Sequence, residues 1–355
     1  MIVSSNKRLK TDLKLIIKRL TEYKPISIIL YGGYGRDEGG WFEENNNWQP
    51  YNDYDILIVL KKKIPEKTIK LQRGKLARNL DIRWIDLSQK TIVELENLKP
   101  TIFNYDLKYG SKVIHGEKNI LDKIPPIDAS KLPLEEGNIL FKTRMWTFLG
   151  SLDKNGFENT ISDENSRFFR NQMSKAILAI VDILLLQKGA YDSSYRIRVK
   201  RFRELYTHKK ELCLLSDWAL DEKLKPKAPT MNQDEVKNLY FKVHQFFINQ
   251  VSGVLSSRFK TKINKPDKLS LLWKYYPINF IRRIGFLCIR RSFNLEKSII
   301  LDVAQLYLLF AIKTDSIDEK YLKKANKLLY KLDSSIQMDL TWDQARLFAA
   351  KMRIE

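Results

Sequence analysis

Two acids one residue apart, Asp53 and Asp55, stand at the head of the run "NDYDILIVL", whose later residues suit a buried strand. Side chains alternate across a strand, so carboxylates at i and i+2 point to the same side. Like charges this close each tend to hold a proton unless a cation lies between them. A hard divalent ion takes carboxylate oxygens and completes its octahedron with phosphate oxygens, and Mg²⁺ fits that role best. Upstream, "LYGGYGRDEG" (30–39) supplies the phosphate side. Gly32 and Gly33 leave a strand with no side chain in the way, so backbone N–H groups can approach a triphosphate and donate to its oxygens. Arg36 can add a bidentate contact, and Glu38 is grouped with it in the nucleotide-binding loop. A third carboxylate on a neighbouring strand would complete a two-ion arrangement. Asp81 is the first candidate; Asp86, at the end of the same expected strand and facing the other side, is the reserve.

The glycines do not fit the rival phosphate loops. Gly33, Gly35 and Gly39 give G-x-G-x-x-x-G, one residue too long for a dinucleotide fingerprint, and no P-loop lysine or helix-forming run follows.

The elements that must hold these residues can be read from periodicity. Leu9, Leu13, Ile16, Ile17 and Leu20 recur at helical spacing, which predicts an amphipathic helix over 6–22. "SIILYG" (27–32), "DILIVL" (55–60) and "LDIRWIDL" (80–87) read as strands, with a helix at 66–78 between the last two. After the Pro125-Pro126 breaker the period changes to 3.6, over 135–150, 164–188, 231–257, 297–313 and 317–332. Ser162 or Asp163 can cap the second of these helices, and Gly189 can end it in a left-handed conformation. The expected fold class is α+β. Residues 1–130 form one domain and residues 131–355 an all-helical one, with a sub-boundary near 258–295.

The 355 residues, with 44% hydrophobic and 30% charged side chains, suit a folded two-domain protein rather than a disordered or fibrous one. Lys and Arg number 63 against 42 Asp and Glu, a net +21 that favours anionic partners. Residues 1–130 hold 23 basic and 17 acidic side chains, so 40 and 25, a net +15, fall in the remainder. Cys213 and Cys288 lack metal-ligand spacing and the N-terminus lacks a secretory apolar core, which points to the cytoplasm. The apolar runs at 176–186 and 299–312 are interrupted by Asp182 and Asp302 and are too short to span a bilayer.

The segments "LYGGYGRDEG" and "NDYDILIV" resemble the signature of the polymerase-beta-type nucleotidyltransferase superfamily, in which a Gly-Gly or Gly-Ser turn precedes an Asp-x-Asp strand and a third acid follows. The match covers about residues 25–90, and "DLKYGSKVIHGE" (106–117) is similar to a segment that closes this domain in many bacterial members. The resemblance implies a nucleotidyltransferase domain with a short mixed sheet flanked by helices, followed by a helical acceptor domain. It implies that Gly32 and Gly33 hold the triphosphate, that Asp53 and Asp55 hold two Mg²⁺ ions, and that Asp81 serves as third ligand or as base for an acceptor hydroxyl. The reaction would move an NMP group from an NTP, with ATP the expected donor, and release pyrophosphate. Two departures are Gly33 in place of the more common Ser and the long insertion "WFEENNNWQPY" before Asp53.

Two clusters concentrate the positive charge. Residues 196–210 hold seven Lys and Arg against one acid, and residues 258–291 ten against one; their nets of +6 and +9 equal the whole +15. Aromatics interleaved in the second, among them Trp273 and Tyr276, suit RNA or an anionic membrane surface. The acceptor expected from this field is anionic: a phosphorylated small molecule, a nucleic acid end or a partner protein. The rival reading is a non-catalytic RNA- or membrane-binding protein built on a degenerate transferase fold. Arg203 and His208 also form an Arg-x4-His pair of ribonuclease type, a spacing that chance explains better in so basic a stretch. His115 and His244 lack partners at ligand spacing and read as surface or core residues.

Overall fold

A computed structural model describes residues 2–44, 47–259 and 291–354. The chain is α+β and forms two compact units, Met1–Gly137 with Val181–Lys227, and Asn138–Ile180 with Ala228–Glu355.

The first unit opens with helix α1 (Ile2–Leu20) and strand β1 (Ser27–Tyr31), followed by one helical turn, α2 (Gly32–Gly35). The insertion forms a hairpin, β2 (Trp41–Glu44) with β3 (Asn47–Pro50), before β4 (Tyr54–Leu60). Then come α3 (Glu66–Leu80), β5 (Ile85–Thr91), α4 (Ile92–Glu96), α5 (Ile102–Tyr109) and β6 (Lys112–Gly116). The four-stranded sheet runs β5-β4-β1-β6. It is mixed: β1 is antiparallel to β4 and β6, whereas β4 and β5, joined through α3, are parallel.

Alternation along the strands gives the sheet two apolar faces, so it is buried on both sides. Ile28, Leu30, Ile56 and Ile58 pack with Ile16 and Leu20 of α1 and with Ile69, Leu76 and Leu80 of α3. Ile29, Tyr31, Leu57 and Val59 face the other way, toward Leu95, Leu107, Leu186 and Tyr191. Tyr54 anchors the first face through its hydroxyl, which donates to the buried Asp12 carboxylate at 2.7 Å.

The expected strand at 80–87 is displaced. Helix α3 runs on to Leu80, and Asp81 caps it in the left-handed region at φ 51°. Asp tolerates this conformation because its short polar side chain can bond locally. The Asp81 N–H donates to the Arg78 carbonyl at 3.2 Å and the Ile82 N–H to that of Ala77 at 3.0 Å, closing a Schellman-type end with Ile82 packed on the core. The strand therefore begins only at Ile85, and Asp81 lies outside the sheet.

The chain continues into α6 (Glu135–Gly150) and α7 (Asp163–Gln187), and the division between the units falls inside both helices. Gly189 ends α7 at φ 63°, where the sequence places a left-handed terminus. The next two helices, α8 (Tyr195–Leu205) and α9 (Lys210–Leu224), belong to the first unit. A boundary at 130 assigns them to the helical half, whereas they group with the sheet residues in the first unit, and hydrogen bonds from the start of α8 to the buried Glu38 tie that helix to the glycine loop. Arg198, part of the first basic cluster, is 2% exposed. It pairs with Asp182 at 2.8 Å, donates to the Tyr191 hydroxyl at 3.0 Å and lies over the Tyr195 ring.

The second unit adds α10 (Gln233–Phe259), α11 (Arg291–Ala311), α12 (Glu319–Leu332) and α13 (Trp342–Ile354). Phe148 lies at the centre of an aromatic core, its ring centroid 5.6 Å from that of Tyr240 and 4.9 Å from that of Phe247. Arg346, fully buried, donates to the carbonyls of Leu149 and Leu152 at 3.0 and 3.1 Å and to Asp343 at 2.6 Å. Among the described residues no helix is long and apolar enough to cross a membrane. The second basic cluster, 258–291, lies almost wholly outside the described residues.

Candidate active site at the edge of the glycine bend

Strand β1 ends at Tyr31, and the chain turns at Gly32 with φ +65°. A Cβ placed on Gly32 would lie 1.9 Å from Oδ2 of Asp55, so the bend is pressed directly against that carboxylate. Only a residue without a side chain satisfies both demands. Gly32→Ala is therefore expected to add about 1–2 kcal/mol of backbone strain to a collision with Asp55. Urea unfolding will show the loss of stability, and nucleotide binding should fall with it.

The sheet register sets the acids. Tyr31 is opposite Asp55 across the antiparallel pair, and Asp55 is opposite Asp86 across the parallel one. The three residues form one row, and residues in register share a face. The Tyr31 hydroxyl donates to Asp86 at 3.4 Å. Asp53 is exposed, just ahead of β4. Burial, and then the Asp53 and Asp86 charges, push the Asp55 carboxyl up to about 7, while Lys223 and Arg36 pull it down. The structure thus brings Asp55 and Asp86 together and leaves Asp81, the first candidate for third acid, capping a helix. The strand displacement explains the exchange: once β5 starts at Ile85, Asp86 moves from the strand's end to its second position.

Among the described residues no three His, Cys, Asp or Glu side chains are already gathered as a complete metal site. The donor chemistry nevertheless fits a divalent cation. Asp55 is partly buried beside the Asp53 and Asp86 charges, which add to the rise in its pKa, and a divalent cation between these carboxylates would offset their repulsion.

The remaining residues of the glycine loop turn inward. A Cβ on Gly33 would meet the Glu38 carbonyl oxygen and Gly39 Cα at 3.4 Å, ordinary van der Waals contact. Glu38 is 2% exposed and accepts from Ser194 Oγ at 2.7 Å and from the Tyr195 and Arg196 N–H groups at 2.8 and 3.0 Å. It is thus engaged as a capping anion at the start of α8, where the helix dipole favours negative charge, and not turned toward a nucleotide. Arg36 is also largely buried: it pairs with Asp106 at 3.1 Å and Glu38 at 3.6 Å and lies 5.0 Å from the Tyr195 ring centroid. Both residues join the glycine loop to α8 instead of extending from it.

Two contributors escaped the sequence reading. Lys223, in the last turn of α9, is buried, acts on Asp55 and sits 5.9 Å from the Tyr195 ring centroid. Tyr195, partly buried, has Arg36, Arg198 and Lys223 around its ring. Neither carries a local motif, since each depends on how α8 and α9 pack in this unit. Arg203 and His208 have separate neighbours: Arg203 pairs with Asp217 at 3.3 Å and His208 lies against Tyr206.

Asp106 links the loop to the helices by accepting from Arg36 and, at 3.2 Å, from the Tyr191 hydroxyl. Burial raises its carboxyl to about 6, against the pull of Arg198 and Arg36; Asp182 adds to the rise. A carboxyl raised in the fold stabilises most below its unfolded pKa and loses that contribution as pH rises through the folded value. Asp106→Asn should flatten the dependence of stability on pH between about 4 and 6. Chemical denaturation at several pH values will measure the slope; an unaltered slope would assign it to other groups.

No protein-family model and no curated protein matches the sequence. Among solved structures, the chain is similar to spectinomycin adenyltransferase AAD(9) from Enterococcus faecialis, crystallised with ATP and spectinomycin. The two are 12% identical, the match covers 69% of this chain and 98% of that one, and the TM-score is 0.42.

Proposed function

We propose that the protein is a Mg²⁺-dependent nucleotidyltransferase that moves an NMP group from an NTP, with ATP the expected donor, to a hydroxyl acceptor and releases pyrophosphate. The observation that carries this reading is the bare bend at Gly32 set against Asp55, with Asp86 beside it in register. A side-chain-free bend and an acidic row meet where a triphosphate and its counter-ion need each other.

Asp53, Asp55 and Asp86 would hold Mg²⁺, which supplies charge neutralisation for the phosphates when bound. The backbone N–H groups around Gly32 and Gly33 donate to phosphate oxygens, and Lys223 adds a fixed positive charge. Asp86 takes the place first given to Asp81, either completing the ligand set or accepting the proton of the attacking hydroxyl. That hydroxyl attacks the α-phosphorus in line with the leaving pyrophosphate, so the rate comes mainly from positioning and charge stabilisation. Glu38 and Arg36 act at one remove by fixing α8 and Tyr195 against the glycine loop.

The net charge of +21 favours an anionic acceptor: a phosphorylated small molecule, a nucleic acid end or a partner protein. Incubation with α-labelled NTPs, Mg²⁺ and cell extract tests the reading, with label expected in one acceptor fraction. Absence of label with every NTP, together with RNA or vesicle binding indifferent to the acids, would leave the non-catalytic scaffold instead.

A further inference from the structure

The second unit contains a groove that the transferase reading does not use and whose chemistry does not depend on that reading. It lies between α10 and the end of α11 as an open groove of about 580 Å³, a volume typical of small-ligand sites. Helix α10 contributes one continuous stripe: Lys237, Asn238, Phe241, Lys242, Gln245 and Asn249 fall at positions i, i+1, i+4, i+5, i+8 and i+12. Phe310 and Lys313 line the opposite side. Three lysines are among the described residues that line it, and Lys313 is also paired with Asp318 at 3.4 Å.

Three kinds of group are combined here. Lysines attract phosphate. Phe241 and Phe310, both partly buried, offer ring surface while being held in place; Phe241 is braced by Phe157 and Tyr240 at 5.3 Å each. The exposed amides of Asn238, Gln245 and Asn249 can each donate and accept, which is what a base edge requires. Beneath them His244 donates through Nε2 to the Leu309 carbonyl at 2.7 Å, and burial lowers its pKa to about 4, so it is neutral at physiological pH. An anionic membrane needs positive charge and an apolar face, but has no use for a line of amides. A groove that combines cations, rings and amides on its two sides suits a ligand with phosphates, flat rings and polar ring edges.

We propose that this groove binds single-stranded nucleic acid, with bases stacked on Phe241 and Phe310, their edges met by Asn238, Gln245 and Asn249, and the backbone following Lys237, Lys242 and Lys313. Fluorescence anisotropy of the full chain with short labelled single-stranded RNA and DNA, titrated with salt, tests it. Lys237→Ala should make the slope of log K against log salt shallower by about 0.7, the loss of one phosphate contact on a single strand. The triple variant Asn238→Ala, Gln245→Ala, Asn249→Ala, confined to exposed side chains, should weaken binding with the slope unchanged. Phe241→Leu, which retains bulk in the aromatic layer, should cost at least about fivefold in affinity. Circular dichroism on each variant guards against unfolding. Binding unaffected by all three changes would place nucleic acid elsewhere, for instance on the second basic cluster, and overturn the proposal. So would equal sensitivity of binding to phosphatidylserine vesicles, which would assign the groove to a lipid surface.

Discussion

Asp55→Asn and Asp86→Asn are each expected to lower Mg²⁺-dependent transfer from an α-labelled NTP by about 10³-fold, the scale of removing one preorganised electrostatic group. The effect on stability should run the other way. Asp55 is raised to about 7 because its charged form is buried beside Asp53 and Asp86. Above that pH the metal-free fold must carry an ionised carboxylate that it disfavours, and the neutral amide removes the burden. The melting temperature of Asp55→Asn without metal, at pH 8, should therefore exceed that of the parent. Asp81→Asn is the control: at the end of α3 and outside the sheet, it should transfer label normally. Full activity in Asp55→Asn, or loss in Asp81→Asn equal to that of Asp86→Asn, would refute the placement of the site.

The second large effect is on folding. Arg198→Ala should destabilise the first unit by about 3–5 kcal/mol, because it removes one partner of a buried ion pair and leaves charge in a low-dielectric surrounding. The guanidinium is bonded to Asp182 at 2.8 Å, to the Tyr191 hydroxyl at 3.0 Å and to the Ser193 carbonyl at 3.2 Å. It also lies over the Tyr195 ring at 4.0 Å. The double change Arg198→Met, Asp182→Leu should recover much of the loss, since a well-packed apolar pair of similar volume avoids the desolvation cost. Urea unfolding of the two variants and the parent measures both. If the double variant is no more stable than Arg198→Ala, packing around the guanidinium outweighs its charge.

These expectations show where sequence was a sufficient guide. The glycine bend and the strands "SIILYG" and "DILIVL" were legible because each depends on neighbours a few positions away: a turn without side chains, a run of branched residues. The helical periods after residue 130 were legible for the same reason, and all five reappear, four within two residues of their expected limits and the one expected over 297–313 beginning six residues earlier, at Arg291. The strand at 80–87 was misplaced because "LDIRWIDL" has strand-like composition, yet Asp81 can take a left-handed conformation and Ile82 can close the helix end on the core. Helices α8 and α9 have no counterpart among the periods read from the sequence, and α8 lies inside the basic cluster at 196–210. In the fold Arg198 is an interior residue, its charge met by Asp182.

What the sequence determined alone is the chemistry on offer: paired acids after a bare bend, carried by a basic chain. Tertiary structure decided which residues stand beside them. Register across β4 and β5 chose Asp86 over Asp81, and the packing of α8 and α9 brought Lys223 and Tyr195 into the same unit while turning Arg36 and Glu38 inward. Local conformation follows from nearest neighbours, whereas the meeting of Asp55 with a lysine on a far-off helix is fixed only when buried charges find partners and apolar faces close over them.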